Sequence, residues 1–337
     1  MLVRLSGRLL SLLQLTRMAL VFTAIADSAC GLLLRWRAAG RGGDAMPGSI
    51  DWRQLLCIAA VSVGLYGFGM SLNDIIDHRR DRQLAAHRPL PSGRMGVVGA
   101  HVVCILLALL ALAAAIYYSQ QIPRGWMSLV LVIGTFGLIG FYDFAGKYLV
   151  APGLLTLGLI RFCHAAIPAP TTPLIWHPLL LLNHVTILST VAYRWEQKRP
   201  PLTAWHWLLI LGGLGMVDLS VVGLATWQRW RGGLSFASAL WITPGLWLPL
   251  IAAGAFVLLA AYIRLRSRSI RSAGQQLMLY GLLWLIVYDA AFALGYIGPR
   301  SAGLILLLAP IAWLSVQLIR WWAGLALLTR TPTFRRA

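Results

Sequence analysis

Acidic residues are scarce in this chain: ten Asp and Glu stand among 337 residues, against 29 Lys and Arg. Charge of either sign is scarce too, at 12% of positions, where an ordinary soluble domain carries about 25%. That shortage excludes a conventional water-solvated globule. Cysteine is limited to Cys30, Cys57, Cys104 and Cys163, each in a different apolar stretch and none in a CxxC pair. They show neither a disulfide framework nor a metal-binding spacing, and buried packing is the expected role. Lysine occurs only at Lys147 and Lys198 against 27 arginines, a bias of genome composition more than of chemistry. Strand-like alternation and low-complexity linkers are also missing, which argues against a sheet and offers no place to divide the chain.

Long apolar runs are what the chain has. Mean hydropathy is +0.74 and 59% of residues are hydrophobic. Ten runs, at 9–34, 54–72, 95–118, 126–142, 149–167, 174–193, 205–226, 241–263, 277–297 and 302–325, approach or exceed the roughly 20 residues a membrane helix needs. The expectation is an all-α polytopic membrane protein, one helical bundle of nine or ten transmembrane helices over residues 1–337. Ala24-Ile25-Ala26 resembles a signal-peptidase site, but the first run is long and others follow, so it is read as a retained helix.

The net charge of +19 is mostly topological. With the N-terminus inside, 18 Lys and Arg fall in the tails and even-numbered loops, eight on the other side, and Arg17, Arg161 and Arg320 within runs. This positive-inside pattern places both termini and the motif-bearing loops in the cytoplasm, with a bacterial inner membrane as the expected location. Nucleic acid is not an expected partner; the lipid bilayer is. Tryptophans such as Trp52, Trp126, Trp176, Trp205, Trp207 and Trp247 mark run ends, as in an interfacial belt.

Against that background, three of the ten acids fall within eight residues: Asn73-Asp74-Ile75-Ile76-Asp77-His78-Arg79-Arg80-Asp81. On a helix, positions 73, 74, 77 and 81 share an arc of roughly 100°, and Asp74 and Asp81 stand about 10 Å apart along the axis. Acids so placed repel one another unless a cation lies between them. Their hard oxygens suit Mg²⁺, which takes one or two carboxylates and completes its shell with water and substrate phosphate. The stretch Arg88-Pro89-Leu90-Pro91-Ser92-Gly93 follows, its prolines stopping the helix. His78 and His87 flank the acids, yet no His/Cys set has zinc spacing.

The pair of segments, NDxxDxxxD with RPLxxG downstream, resembles the first aspartate-rich motif of the UbiA family of intramembrane prenyltransferases. Tyr142 and Lys147 resemble the family's Tyr/Lys element in the next cytoplasmic loop, with looser spacing. The similarity in helix pattern runs over about 9–300. The resemblance implies a nine-helix bundle that binds an isoprenyl diphosphate through Mg²⁺ and passes the prenyl group to a hydrophobic acceptor. It implies that Asn73, Asp74, Asp77 and Asp81 hold the metal, that Arg88 and Lys147 neutralise phosphate, and that Tyr142 lies at the donor site. Asp74, Asp77 and Lys147 are then the catalytic candidates.

The second motif departs from the pattern. After the sixth run, Tyr193-Arg194-Trp195-Glu196-Gln197-Lys198-Arg199-Pro200-Pro201 offers one carboxylate, Glu196, among three cations. Two readings stand for Arg194, Lys198 and Arg199: they replace a second magnesium at the diphosphate, or they are ordinary positive-inside residues. An intact first motif with a degraded second is similar to UbiA-like proteins of the Ebo gene cluster, the EboC-like subgroup. Hence the runner-up expectation is a non-catalytic relative that binds a prenyl diphosphate or another amphipathic metabolite for transport or assembly with partners.

Asp27, Arg161, His164, Asp218 and Asp289 lie inside runs, where each ionised group costs roughly 2.5–3.5 kcal/mol on insertion scales. Asp27 or Asp289 is an acceptor-side base or anchor on one reading. On the other, Arg161 bridges one of the acids structurally. The structural reading is favoured for Asp218. A third reading, an ion-coupled transporter built on these acids, lacks the paired broken helices that mark such sites.

Overall fold

The computed structural model describes residues 2–40, 51–86, 88–171, 174–231, 235, 238 and 240–328. His87, part of the outer arginine-rich loop and the tail residues Arg330, Arg335 and Arg336 lie outside the described residues. All regular structure among the described residues is helical. The chain runs α1 (Leu2–Leu15), α2 (Val21–Ala38), α3 (Trp52–Ile76), α4 (His78–Leu84), α5 (Val97–Ser119), α6 (Trp126–Phe144) and α7 (Val150–Ala166). It continues through α8 (Trp176–Trp195), α9 (Ala204–Trp230), α10 (Trp247–Arg266), α11 (Ile270–Tyr296), α12 (Pro299–Leu306) and α13 (Leu308–Leu328).

Helices are the element that lets an apolar chain satisfy every backbone group internally. Polar residues confine themselves to starting them. The Asp51 carboxylate accepts from the amides of Arg53 and Gln54 at 3.1 and 3.3 Å to open α3. Thr203 and His206 form a capping box at α9, and the Ser269 hydroxyl caps α11. Trp52, Trp126 and Trp247 open α3, α6 and α10 and are largely exposed, as a belt requires.

Seven helical stretches among the described residues are long and apolar enough to cross a membrane: α3, α5, α6, α9, α10, α11 and the α12–α13 pair. α7, at 17 residues, is shorter. α2 and α8 carry too many polar groups to qualify by composition, so the expected count of nine or ten is not reached on this measure. The polar residues in their interiors mostly face protein rather than lipid. Asp27 and Ser28 of α2, and His177, His184, Thr186 and Thr190 of α8, are all buried.

One expected element is corrected. The run at 9–34 is not a single helix: it breaks between α1 and α2, where Arg17 adopts a left-handed backbone (φ 45°) and Met18–Leu20 form a 3-10 turn. The guanidinium of Arg17 lies 3.5 Å from Asp74 Oδ1, and the bend turns it toward that acid.

Helix packing depends on small residues at close crossings, Gly64 and Gly158 among them, as expected where lipid supplies no hydrophobic drive. At Gly64 of α3 a Cβ would stand 2.6 Å from the Leu107 carbonyl oxygen of α5. At Gly158 of α7 it would stand 2.1 Å from Thr186 Oγ1 and 2.7 Å from the Leu182 carbonyl oxygen of α8.

Candidate functional site

The acidic cluster forms where α3 gives way to α4. Asp77 sits at the joint, yet its amide bonds to the Asn73 carbonyl at 2.9 Å and the Asp81 amide bonds to the Asp77 carbonyl at 2.8 Å. The helical register therefore carries through, and Asn73, Asp74, Asp77 and Asp81 stay on one side as the spacing predicts.

Three cations come to these acids from three other parts of the chain. Arg88 Nη1 reaches Asp81 Oδ2 at 2.5 Å and Asp74 Oδ1 at 3.3 Å. It is held there by its loop. Leu90 is buried against Leu15 and Ala100, the Ser92 amide bonds to the Arg88 carbonyl at 3.1 Å, and Gly93 supplies the positive φ of 72° that turns the chain back. Lys147, on a 3-10 turn after α6, places Nζ 2.8 Å from Asp77 Oδ1. Arg17 completes the set beside Asp74.

Asp143 belongs to the cluster although the sequence reading did not select it. Asn73 Nδ2 donates to its Oδ1 at 2.7 Å, and Lys147 Nζ stands 4.0 Å from the same atom. The available signal was its i,i+4 relation to Lys147 at the end of an apolar run. Asp74, Asp77, Asp81 and Asp143 are each nearly buried. Every contact described for each of them uses one carboxylate oxygen, leaving the other without a hydrogen bond among the described residues. Four hard oxygens free to accept a ligand, with three fixed cations beside them, form a donor set that fits Mg²⁺ bridged to phosphate.

Beneath the cluster a cavity of about 320 Å³ opens between α2, α3, α6, α7, α8 and α11. Arg17, Asn73, Tyr142 and Asp143 stand at its polar end. Its walls are apolar, with Leu65, Ile139, Leu157 and Leu282 among them. Arg161 and His164 close its far end. Behind them Asp27 is fully buried, 2.5 Å from Arg161 Nε in an ion pair without hydrogen-bond alignment. His164 Nε2 lies 3.1 Å from Ser62 Oγ. The structural bridge expected for Arg161 is thus with Asp27. Asp218 instead accepts from Asn183 Nδ2 at 3.0 and 3.1 Å.

The second candidate segment is not brought to the cavity. Glu196 Oε2 pairs locally with Lys198 Nζ at 3.0 Å, where Lys198 is half exposed. Glu196 packs over Gly274 of α11, and Arg194 is exposed. None of Arg194, Glu196 and Lys198 lines the cavity; α8 contributes Val185 and Ser189 there instead.

No family model matches the chain, and no curated protein is significantly similar to it. Solved structures do match. That of a digeranylgeranylglyceryl phosphate synthase, studied in membranes, superposes with a TM-score of 0.55 at 17% identity, covering 86% of this chain and 99% of that one. A UbiA homologue from Archaeoglobus fulgidus bound to GPP and Mg²⁺ gives a TM-score of 0.41 at 15% identity over 95% of this chain and all of that one. The same homologue bound to Cd²⁺ gives 0.39 at 14%, covering 94% and 99%. At these identities a likeness speaks for the fold alone. The chain has a UbiA-like helical-bundle fold.

Proposed function

We propose that this protein is an intramembrane prenyltransferase of the UbiA type. In this reading it transfers a prenyl group from an isoprenyl diphosphate to a hydrophobic acceptor. The observation that carries the reading is the junction of the two halves of the site. Four carboxylates with free oxygens and three fixed cations sit at the mouth of an apolar-walled cavity. An amphipathic diphosphate needs both halves.

Asn73, Asp74, Asp77, Asp81 and Asp143 would hold Mg²⁺, which when bound stabilises charge on the leaving diphosphate. Arg88 and Lys147 are placed to turn from their carboxylate partners to phosphate oxygens, and Arg17 closes the inner side. The reaction breaks the allylic carbon–oxygen bond. The electron pair leaves with the diphosphate, and the cationic carbon takes an electron pair from the acceptor, which then loses a proton. Preorganised charge at the mouth lowers that barrier, while the apolar walls keep water from the cation. Tyr142 stands at the boundary between the two environments.

A second reading has its own support. With Glu196 paired to Lys198 and away from the cavity, the acids that would bind a second metal are missing from α8. A binder that holds a prenyl diphosphate without turning it over needs only the first cluster. The test is pyrophosphate release by purified protein in lipid, with a panel of prenyl diphosphates, a membrane extract as acceptor source, and Mg²⁺ or EDTA. Release that requires both Mg²⁺ and Asp77 supports the transferase. Mg²⁺-dependent retention of labelled prenyl diphosphate with no release under any condition supports the binder.

A further inference from the structure

A second constellation lies deep in the bundle, on the far side of Arg161 from the cavity. Cys30 of α2, His177 of α8 and Asp289 of α11 bring Sγ, a ring nitrogen and a carboxylate oxygen within 4.8 Å of one another, and all three residues are buried. His177 Nε2 stands 2.7 Å from Asp289 Oδ1, and Cys30 Sγ stands 3.4 Å from the Asp289 carbonyl oxygen. These residues sit 11 to 13 positions along the chain from the cavity-lining Arg17, Ser189 and Met278, or about 16–20 Å at 1.5 Å per helical residue. The acids and cations of the mouth do not reach them.

The polar groups here are not satisfied by protein alone. Asp289 Oδ2 and both oxygens of Asp27 are buried with no hydrogen-bond donor among the described residues. Arg161 is the cation beside Asp27, whereas Asp289 has only the His177 ring beside its Oδ1 and nothing at Oδ2. An unbalanced buried charge costs several kcal/mol, so something must stand beside Asp289. A single proton serves one oxygen. A divalent ion serves the sulfur, the imidazole and the carboxylate together.

We propose that Cys30, His177 and Asp289 form a structural Zn²⁺ site in the core of the bundle. One thiolate, one neutral imidazole and one carboxylate are a ligand set that zinc accepts, with bonds of about 2.0–2.3 Å. The charges then close. Zinc is neutralised by Cys30 and Asp289, and Asp27 by Arg161. Asp27, three residues before Cys30 on α2, stays with Arg161 and is not one of the three grouped ligands. Closing the cluster onto a metal needs side-chain shifts of about 1 Å from the present spacing. His177 also lies at the wall of a separate cavity of about 410 Å³ between α2, α6, α7, α8 and α9. The site ties α2, α8 and α11 at one point, which a bundle held by weak helix–helix contacts can use.

The proposal stands apart from the prenyltransferase reading and is tested without assaying activity. Full-length protein purified in detergent under reducing conditions is analysed for metal by mass spectrometry, then substituted with Co²⁺. The expected result is near-stoichiometric zinc and a thiolate-to-cobalt charge-transfer band. Cys30→Ser, a near-isosteric change, should remove that band and lower zinc retention by more than the roughly 10–100-fold typical of an outer-shell partner. His177→Ala should do the same, while Asp77→Asn at the mouth keeps zinc unchanged. Wild-type protein that takes up no zinc and no cobalt, with a melting midpoint insensitive to added zinc, overturns the proposal in favour of a proton held by the His177–Asp289 pair. Zinc that persists in Cys30→Ser overturns it equally.

Discussion

The two acidic clusters of this bundle hold the same residue type by opposite means. At the mouth, Asp74, Asp77, Asp81 and Asp143 are matched by Arg17, Arg88 and Lys147, each cation arriving from a different loop or turn. Every acid there keeps one oxygen for something else. In the core, Asp27 and Asp289 have Arg161, two histidines and a thiol, all on helices and all buried or nearly so. The mouth is built to exchange partners and the core to keep them. Where each cluster sits in the bundle, at a water-accessible end or sealed inside, decides which.

Substitutions can break that contrast, and the largest effect should come from the core. Arg161→Met leaves Asp27 buried without its cation, a change that costs about 3–5 kcal/mol in such pairs. Heating in detergent followed by size-exclusion should show early loss of monodisperse protein. The double variant Asp27→Asn with Arg161→Met should recover most of it. Recovery that fails would show that Arg161 serves the cavity rather than the acid.

At the mouth the cost should fall on turnover instead. Asp77→Asn is expected to cut pyrophosphate release by about 10²–10³-fold, as the loss of one preorganised electrostatic group does, while the melting midpoint hardly moves. A large stability loss there would erase the distinction between the clusters. Asp143→Asn keeps the hydrogen bond to Asn73 within reach but removes a charge beside Lys147. It should raise the Mg²⁺ concentration needed for half-maximal activity or donor retention by at least roughly tenfold, more than the lower end seen for groups that only support a ligand. The smallest effect sharpens the comparison from a third place. Glu196→Gln and Lys198→Ala disrupt a partly exposed pair worth about 0–1 kcal/mol, and donor binding should change less than about threefold. A loss as large as that of Asp77→Asn would bring this end of α8 into the site.

Legibility in the sequence followed distance along the chain. The mouth acids were readable because Asn73 to Asp81 lie on little more than two turns of one helix, where spacing dictates geometry. Arg88 came with them through its proline-bounded loop. Asp143 was missed because it is a lone acid in its run, and only its i,i+4 partner Lys147 marked it. Arg17 was read as part of a membrane helix. An arginine in an apolar run also marks a place where the helix can stop, and here it does. Of the core cluster, the acids, Arg161 and His164 stood out as polar groups within apolar runs, but Cys30 and His177 could not be joined to them, since 112 positions separate His177 from Asp289 and metal spacings are local patterns. The helical fold itself was plain from the apolar runs. The crossing count was not, because α2 and α8 hide polar groups inside the bundle, and composition cannot tell an inward face from an outward one.

The bend at Arg17 joins two equilibria that look separate. A non-glycine residue in the left-handed region costs about 1–2 kcal/mol, and the contact with Asp74 helps to hold it there. Any cation or phosphate that competes for Asp74 or for the guanidinium also competes with the bend, and by linkage the bend pushes back equally. The amino-terminal helix is therefore an indicator needle for the mouth: what binds there should be readable in the hydrogen exchange of the amides around Arg17.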